Sequence, residues 1–373
     1  MKYYIIAGEA SGDLHGSNLI KALKSEDTEA DIRCWGGDLM ENAGGTLVKH
    51  YKELSFMGFV EVVSNIRRIF KNIDFCKEDI TDFNPDLIIF IDFSGFNLRI
   101  ASWAKTEAYR TSYYISPQVW ASREGRIKKI KANIDHMFVI LPFEKEYYEE
   151  KHNFPVHFVG HPLLDAIDAR ERIDPKAFKI KHHLDPQRKI IALLPGSRKQ
   201  EVEKMLSVML SVIPSFPDYQ FVIAAAPSLD KEFYTRFLKA KQVHMISGET
   251  YSLLSTSHAA LVTSGTATLE TALFKVPQVV CYKGSWISYQ IAKRIITLKY
   301  ISLVNLIMDK EVVKELIQNQ LTTKALTRGL KEIIEGPKRD EILSEYTLLE
   351  KKLGGPGASR KAAKKIVSLL RKE

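Results

Sequence analysis

Residues 261–280, LVTSGTATLETALFKVPQVV, predict a strand, a glycine turn, a helix and a second strand in that order. Residues 259–263 form an apolar run that ends at a Ser-Gly bend, and residues 266–274 have the composition of a helix. Side-chain hydroxyls and the free N–H groups of the first helical turn would meet at this bend, as they do in sites that bind phosphate or diphosphate. The residues of this predicted site are Ser264, Gly265, Thr266, Ala267 and Thr268.

Glu270 follows one turn into the same predicted helix. Its carboxylate would repel a phosphate but could accept hydrogen bonds from ribose hydroxyls, as acidic residues do in other nucleotide-binding folds. The alternative is a helix without a ligand, whose first turn is capped by threonine and stabilised by a glutamate near its N-terminus. The stretch alone leaves both interpretations open.

The length and composition of the chain limit its class. Its 373 residues suggest two domains, and 54 Lys and Arg against 45 Asp and Glu give a net charge of +9, which favours an anionic partner such as nucleic acid, anionic lipid or a phosphorylated substrate. The cysteines are isolated and no His/Cys cluster has zinc spacing, so neither disulfides nor a structural metal are indicated. We find no signal peptide and no apolar run long enough for a membrane span, so we expect a cytoplasmic protein.

Apolar segments alternate with helical patterns along the chain, which predicts an α/β fold with two doubly wound, Rossmann-like parallel sheets. A charged segment at 165–189 separates the two series, so we place domains at 1–165 and 166–339. From residue 311 onward only helical patterns are expected, and the helices at about 340–373 are expected to pack back on the first domain. The predicted strands are 3–7, 32–35, 87–91, 112–115, 136–139 and 157–159, then a strand from 189, 220–225, 243–246, 259–263 and 278–281.

A second phosphate-type turn lies in the LPGSR sequence at 194–198. An apolar strand is followed there by Gly196 and by a helix start at Ser197, and Arg198 could pair with a diphosphate. The alternative is a surface arginine near a helix N-terminus, where a cation is mildly unfavourable unless an anion is present. Two such turns, without a Walker lysine or G-x-G-x-x-G, suit a nucleotide-sugar diphosphate better than ATP or NAD.

Asp92 follows the strongly apolar strand at 88–91. It could be a general base that takes a proton from a substrate hydroxyl, or the N-cap of a helix from Phe96. Because doubly wound sheets bind ligands outside the carboxyl ends of their strands, the loops at Gly8, Asp92, Gly196 and Ser264 should face a cleft between the domains. No D-x-D triplet occurs, so neither a metal-bridged diphosphate nor another cofactor is expected.

The turn at 8–13 combines small residues with two carboxylates, which suits hydrogen bonds to sugar hydroxyls. Its candidate ligand-binding residues are Gly8, Glu9, Ser11, Gly12 and Asp13.

A basic amphipathic helix is predicted within residues 54–73. An apolar loop precedes it, and Ile66, Ile69, Phe70 and Ile73 belong to its predicted apolar face. Such a helix can lie on an anionic membrane, although most helices of this kind only pack their apolar face on a sheet. The candidate membrane or acyl-chain residues are Phe56, Met57, Phe59, Arg67, Arg68 and Lys71.

Taken together, the motifs of this chain resemble those of the lipid-A-disaccharide synthase family. They are AGEASGD (7–13), MGFVEV (57–62), IDFSGFN (91–97), YYISPQVWA (113–121), LPFEKEYY (141–148), FVGHPLLD (158–165), LLPGSRKQEV (193–202), TSGTATLE (263–270) and ISLVNLI (301–307). The resemblance implies a GT-B glycosyltransferase fold with an acceptor-binding first domain and a donor-binding second domain. It also implies an inverting reaction that joins UDP-2,3-diacylglucosamine to 2,3-diacylglucosamine 1-phosphate and releases UDP.

The resemblance further implies roles for individual residues. Asp92 resembles the base, and Arg198, Glu270 and Asn305 resemble donor-site residues. The acceptor-binding residues would be Gly8, Glu9, Ser11, Gly12, Asp13, Met57 and Gln118. The protein would lie peripherally on the inner face of the inner membrane, with anionic lipid but no nucleic acid as a partner, and could form a homodimer.

Two other functions remain open at this point. One is another GT-B enzyme of UDP-N-acetylglucosamine, such as the peptidoglycan glucosaminyltransferase or a 2-epimerase. The other is a basic binding protein without catalysis, which would interleave exposed aromatic residues with Lys and Arg.

Overall fold

The computed structural model describes residues 1–54, 66–122, 124–170, 173–238, 243–284 and 299–372. The chain divides into two compact units. The first comprises Met1–Ala169 together with Leu353–Glu373, and the second comprises Arg170–Lys352. Each unit contains one parallel sheet with helices between its strands, so the predicted pair of doubly wound α/β sheets is confirmed.

The first unit has a seven-stranded sheet in the order β3-β2-β1-β4-β5-β6-β7. Its strands are β1 Lys2–Ala7, β2 Asp31–Gly36, β3 Thr46–His50, β4 Leu87–Ile91, β5 Thr111–Tyr114, β6 His136–Val139 and β7 Val156–Phe158. Its α-helices are Ala10–Glu26, Asp38–Asn42, Ile66–Phe83, Ser94–Thr106, Val119–Ser122, Ile127–Asn133, Pro142–Glu146, Leu163–Asp168 and Ala358–Leu370. The strand order reverses between β1 and β4, and such a switch point is where doubly wound sheets bind ligands.

The second unit has a six-stranded sheet in the order β10-β9-β8-β11-β12-β13. Its strands are β8 Lys189–Leu194, β9 Tyr219–Ala225, β10 His244–Ser247, β11 Ser257–Thr263, β12 Gln278–Tyr282 and β13 Lys314–Ile317. Its α-helices are Pro175–Lys181, Lys199–Leu210, Lys231–Leu238, Thr250–Thr256, Thr266–Leu273, Leu303–Met308, Thr323–Ile334 and Pro337–Lys352. The switch point lies between β8 and β11.

Strand β13 contradicts the expectation that only helices follow residue 311. It is a four-residue edge strand, KELI, that pairs in parallel with β12. Only Leu316 of these four residues is buried, so the segment has too few apolar positions to show the alternation of a longer strand.

The C-terminal helices belong to different units, which differs from the prediction that the region 340–373 packs on the first domain. The helix Pro337–Lys352 lies in the second unit. Tyr346 of this helix is fully buried, and its hydroxyl accepts a hydrogen bond from Gln278 Nε2 at 3.2 Å. The helix Ala358–Leu370 packs in the first unit against the helix Ala10–Glu26.

No helix in the described part of the chain is both long enough and apolar enough to cross a bilayer.

Candidate active site

The switch point of the first unit brings Gly8 and Asp92 together. Ala7 and Ile91 are register partners at the ends of β1 and β4, so the residues after them leave the sheet side by side. A Cβ atom on Gly8 would lie 2.3 Å from ring atoms of Phe93. Gly8 is therefore required by the close approach of the Phe93 ring.

The backbone at Asp92 is strained and firmly held. Asp92 and Phe93 both adopt left-handed conformations, with φ of 42° and 45°. The Asp92 carbonyl oxygen accepts hydrogen bonds from Asn97 Nδ2 at 2.8 Å and from the Tyr113 hydroxyl. Such conformations persist where the surroundings enforce them, and they are concentrated at functional sites. The hypothesis that Asp92 is a helix N-cap is wrong, because the helix begins at Ser94 with Phe93 as its cap residue.

The Asp92 side chain is exposed, but protein atoms displace much of the bulk water around its carboxyl group. This desolvation, together with the negative charge of Glu9, raises the pKa of Asp92 to about 6. The group is therefore ionised at neutral pH and binds a proton more readily than an ordinary aspartate does.

Asp92 lines a pocket of about 300 Å³ in the first unit. The polar residues of its lining are Asp92, Ser94, Ser116, Gln118, Arg126 and Glu144. Gln118 was predicted for the acceptor site and does lie in this pocket, with an exposed side chain. Ile115, another lining residue, has a φ of 66°, which is rare for a β-branched residue. Strained backbone thus occurs on both the β4 and the β5 side of the pocket.

Sequence reasoning missed Glu144 and Arg126. Glu144 is buried, and its carboxyl group accepts hydrogen bonds from the N–H groups of Ile140 and Leu141, at 3.1 and 2.9 Å, and from Trp120 Nε1 at 3.2 Å. Burial raises the pKa of Glu144 to about 7, while the two N–H groups act in the opposite direction. Glu144 therefore shapes the wall of the pocket. The signal in the sequence was Pro142 at the first helical position with Glu144 in the first turn, which is typical of a helix start.

The turn at 8–13 only partly matches its predicted role. Glu9 and Ser11 are exposed at the start of the first helix. Gly12 is buried, and a Cβ atom there would lie 3.0 Å from the Ala7 Cβ, so this glycine serves packing.

The Asp13 carboxylate is hydrogen-bonded to backbone N–H groups of the protein. Its carboxylate accepts hydrogen bonds from the N–H groups of Gly37 and Met40 at 2.8 and 3.0 Å, and from that of Leu39 at 3.2 Å. The side chain is almost fully buried. In this conformation Asp13 caps the short helix Asp38–Asn42 instead of presenting a free carboxylate to a ligand.

In the second unit, the LPGSR turn is hydrogen-bonded to a carboxylate of the protein itself. Glu201 Oε2 accepts hydrogen bonds from the N–H groups of Ser197 and Arg198, at 3.2 and 3.3 Å. Gly196 has a φ of 111°, and a Cβ atom on it would lie 2.6 Å from the same carboxylate oxygen. The Arg198 side chain is 72% exposed, with 3.6 Å between its Nη1 and Glu201 Oε1. The helix begins at Lys199, two residues after the predicted start.

The TSGT turn follows β11, and its helix spans Thr266–Leu273, one residue shorter than the predicted 266–274. Gly265 and Thr266 are exposed and Ala267 is half-buried. The Thr268 N–H donates to the Gly265 carbonyl at 3.1 Å, whereas the N–H groups of Thr266 and Ala267 precede the first hydrogen bond within the helix. Two of the predicted hydroxyls point inward. Thr268 Oγ1 donates to the Gly265 carbonyl and Ser264 Oγ donates to the Ile301 carbonyl, both at 2.8 Å. The backbone of this turn is therefore better placed for an anion than its hydroxyls are.

Glu270 lies half-buried on the same helix and accepts a hydrogen bond from the Tyr251 hydroxyl at 3.2 Å. Burial raises the pKa of Glu270, and this hydrogen bond acts in the opposite direction.

Asn305 is fully buried and its amide is engaged on both sides. Oδ1 accepts from the N–H groups of Val312 and Val313 at 2.9 and 3.0 Å, while Nδ2 donates to Glu315 Oε1 at 2.9 Å and to the Val313 carbonyl at 2.8 Å. Asn305 thus fixes the start of the helix Leu303–Met308. Glu315 also accepts hydrogen bonds from the N–H groups of Ile301 and Ser302. The Ile301 carbonyl in turn accepts the hydrogen bond of the Ser264 hydroxyl.

Of the predicted membrane residues, Phe56, Met57 and Phe59 lie outside the described residues. Arg67, Arg68 and Lys71 are exposed on the helix Ile66–Phe83. Ile73 of the predicted apolar face is buried, together with Cys76 and Ile80 further along the helix. Phe70 of the same predicted face is 53% exposed, and Phe75 is 43% exposed.

In the described residues, no three His, Cys, Asp or Glu side chains form a group that could hold a metal ion.

Comparison with known proteins gives concordant results. A family model described as lipid-A-disaccharide synthetase matches residues 3–367. The lipid-A-disaccharide synthase of Syntrophus aciditrophicus (strain SB) is 38% identical over 378 residues, which cover 99% of this chain and 97% of that protein. The protein of the same name from Coxiella burnetii (strain CbuG_Q212) is 36% identical over 371 residues, which cover 98% of each chain.

Solved structures share the fold at low sequence identity. UDP-GlcNAc 2-epimerase from Neisseria meningitidis, bound to UDP-GlcNAc, matches with a TM-score of 0.69 at 16% identity over 100% of both chains. The glycotransferase of kitacinnamycin matches with a TM-score of 0.68 at 12% identity over 99% of both chains. At such identities the likeness shows the fold alone, which is of the GT-B type expected from the sequence. The family model covers nearly the whole chain and the curated relatives are similar over their full length, so the chain belongs to the lipid-A-disaccharide synthetase family.

Proposed function

We propose that this protein is a metal-independent, inverting glycosyltransferase that joins UDP-2,3-diacylglucosamine to 2,3-diacylglucosamine 1-phosphate. The products are lipid A disaccharide 1-phosphate and UDP. Family membership supports the reaction class, a glycosyltransferase of lipid A biosynthesis. The observation that carries the mechanism is Asp92, a carboxylate with a raised pKa on a held and strained backbone at the switch point of the first sheet.

Asp92 acts as the general base in this proposal. The primary hydroxyl of the acceptor attacks the anomeric carbon of the donor from the side opposite UDP. As the new C–O bond forms, the hydroxyl proton passes to the Asp92 carboxylate, and the bond to the diphosphate oxygen breaks with its electron pair leaving on UDP. A pKa of about 6 suits this step, because the group is ionised at neutral pH and yet basic enough to take the proton.

The second unit binds the UDP part of the donor in this proposal. The N–H groups of Thr266 and Ala267 at the start of the helix Thr266–Leu273 and the exposed Arg198 guanidinium replace a metal ion at the diphosphate. Glu270 accepts hydrogen bonds from the ribose hydroxyls. Asn305 acts indirectly, because its buried amide donates to Glu315, which accepts hydrogen bonds from the N–H groups of Ile301 and Ser302 next to the Ser264 contact.

Two exposed phenylalanines support peripheral membrane association. Phe70 and Phe75 lie on the helix that also exposes Arg67, Arg68 and Lys71, which suits a surface of anionic lipid. We assign the protein to the cytoplasmic face of the inner membrane, where its acylated substrates would be reached, and we expect a homodimer.

Release of UDP tests the function directly. Purified protein should release UDP from UDP-diacylglucosamine only when diacylglucosamine 1-phosphate is present, and it should retain this activity in EDTA. UDP-N-acetylglucosamine without acyl chains is the matched control, since a 2-epimerase or a peptidoglycan glucosaminyltransferase would use it. Turnover of that control in place of the acylated donor would refute the proposal.

Arg198→Ala tests the donor site within the same assay. The loss of a charge-assisted hydrogen bond, about 1.5 to 3 kcal/mol, should weaken UDP binding by about one to two orders of magnitude. Unchanged UDP affinity in this variant would remove Arg198 from the site.

A further inference from the structure

The pocket beside Asp92 contains charges of both signs. Its lining includes two carboxyl groups, those of Asp92 and Glu144, and the guanidinium group of Arg126. Glu144 is committed to backbone N–H groups and to Trp120. Arg126 is the only Lys or Arg in the described lining, so an anionic ligand in this pocket would meet its positive charge there.

Arg126 is held at the Asp92 end of the pocket. The side chain is half-buried, and its Nη1 donates to Ser94 Oγ at 2.6 Å. Ser94 comes two residues after Asp92 and also lines the pocket. A guanidinium group has five N–H donors in a planar fork, and a hydroxyl that accepts one hydrogen bond keeps its own proton to donate. The pair can therefore offer adjacent donors to one anionic group.

The acceptor of the proposed reaction, on which this inference rests, has the matching chemistry. Its phosphate is on C1 and its primary hydroxyl is on C6, which is attached to C5. Because C1 and C5 both flank the ring oxygen, the two groups lie close together on one edge of the sugar. Asp92 must be ionised to act as a base, so a phosphate in the same pocket would be repelled unless a cation neutralises it. The pocket volume of about 300 Å³ is at the lower end of small-molecule sites, which suits a sugar and its phosphate but not the acyl chains as well.

We propose that Arg126, together with Ser94, binds the phosphate of the acceptor and thereby makes the enzyme selective for a phosphorylated acceptor sugar. Arg126 positions the substrate by this contact, while Asp92 receives the proton of the neighbouring primary hydroxyl. Bidentate pairing of arginine with phosphate gives both strength and orientation.

The test compares two acceptors, diacylglucosamine 1-phosphate and diacylglucosamine without the phosphate, at a fixed concentration of UDP-diacylglucosamine. Arg126→Met should lower kcat/KM about 10- to 100-fold for the phosphorylated acceptor and leave the other acceptor unchanged within about twofold. Arg126→Lys should fall between wild type and Arg126→Met, since lysine keeps the charge but lacks the fork. Arg99→Met is the matched control, because Arg99 is exposed, donates to the Gly95 carbonyl and lies outside the pocket lining.

The outcomes separate this inference from the function on which it rests. If the wild type is active and Arg126→Met loses kcat/KM equally for both acceptors, the inference alone is overturned. The same holds if the variant loses kcat/KM for neither acceptor. Wild-type protein that releases no UDP with either acceptor overturns the proposed function and this inference with it. Thermal unfolding shows whether Arg126→Met is folded. If it is not, the acceptor preference of Arg126→Lys decides, and an unaltered preference overturns the inference.

Discussion

Replacing Asp92 by asparagine tests the central chemical assignment, because asparagine keeps the shape of the side chain but cannot accept a proton. The backbone at this position is held through the Asp92 carbonyl oxygen, a contact that the substitution leaves in place. A general base contributes about 10² to 10⁴ in rate. We therefore expect kcat for UDP release to fall by at least about a hundredfold, with UDP affinity unchanged.

The raised pKa of Asp92 adds a dependence on pH. Activity should fall as the pH drops through about 6, and at pH 5 only about a tenth of the molecules would carry the ionised base. Glu9→Gln removes a negative charge that helps to raise this pKa, so the acidic limb should move to lower pH. The residual activity of Asp92→Asn should not decrease as the pH drops through about 6.

The same pKa predicts the sign of a stability effect. The folded-state pKa of Asp92 lies above the ordinary value of 3.8, so ionisation disfavours the folded state. The stabilising contribution is fully present below pH 3.8 and is lost as the pH rises through about 6. Asp92→Asn should therefore melt at or above the wild-type temperature at pH 8. Near-normal kcat in folded Asp92→Asn, or a wild-type profile without a limb near pH 6, would refute the reasoning.

Three further predictions concern the donor site and the membrane. Glu201→Gln should tighten UDP binding about two- to fivefold in calorimetry, because it removes a carboxylate from the N–H groups of the LPGSR turn. Tyr251→Phe should weaken UDP binding about two- to tenfold, since Glu270 loses the hydrogen bond that orients it, while kcat at saturating donor should change little. Phe70→Ser should reduce sedimentation with anionic vesicles without lowering the melting temperature, as its side chain is 53% exposed.

Each of these predictions has a contrary result. Weaker UDP binding in Glu201→Gln would mean that the carboxylate supports the donor site instead of competing with the diphosphate. Unaltered UDP affinity in Tyr251→Phe would show that Glu270 does not bind the ribose. Leu348→Ser is the vesicle control, because Leu348 is 45% exposed on a different helix, Pro337–Lys352 of the second unit. An equal loss of vesicle binding in this control would show that Phe70 has no specific role at the membrane.

The sequence predicts most of the fold because buried parallel strands are continuous apolar runs. Strand β4 was predicted at 87–91 and is observed as Leu87–Ile91, with all five residues buried. Strand β13 was missed because it lies at the sheet edge, where a short strand needs few apolar residues. The division of the C-terminal helices was not predictable from amphipathicity, since an apolar stripe shows that a helix packs but not which unit it packs on.

The candidate site was predictable where a residue directly follows a strand. Asp92 and Ser264 could be found in this way, because parallel strands bring their carboxyl ends to one edge of a sheet. Arg126 could not, since it lies outside any strand end and reaches the pocket only through tertiary packing. Asp13 and Asn305 illustrate a different difficulty. A polar side chain that caps backbone groups and one that binds a ligand have the same appearance in a sequence.

The first unit is assembled from two separate parts of the chain, Met1–Ala169 and Leu353–Glu373. A ribosome therefore completes the whole second unit before it releases the helix Ala358–Leu370. Domains generally fold as units while they emerge from the ribosome. Here synthesis of the first unit starts before that of the second unit but ends after it. Until then the nascent first unit lacks the buried Ala362 and Ile366, and the surface that the helix Ala358–Leu370 later covers on the helix Ala10–Glu26 is open to chaperones.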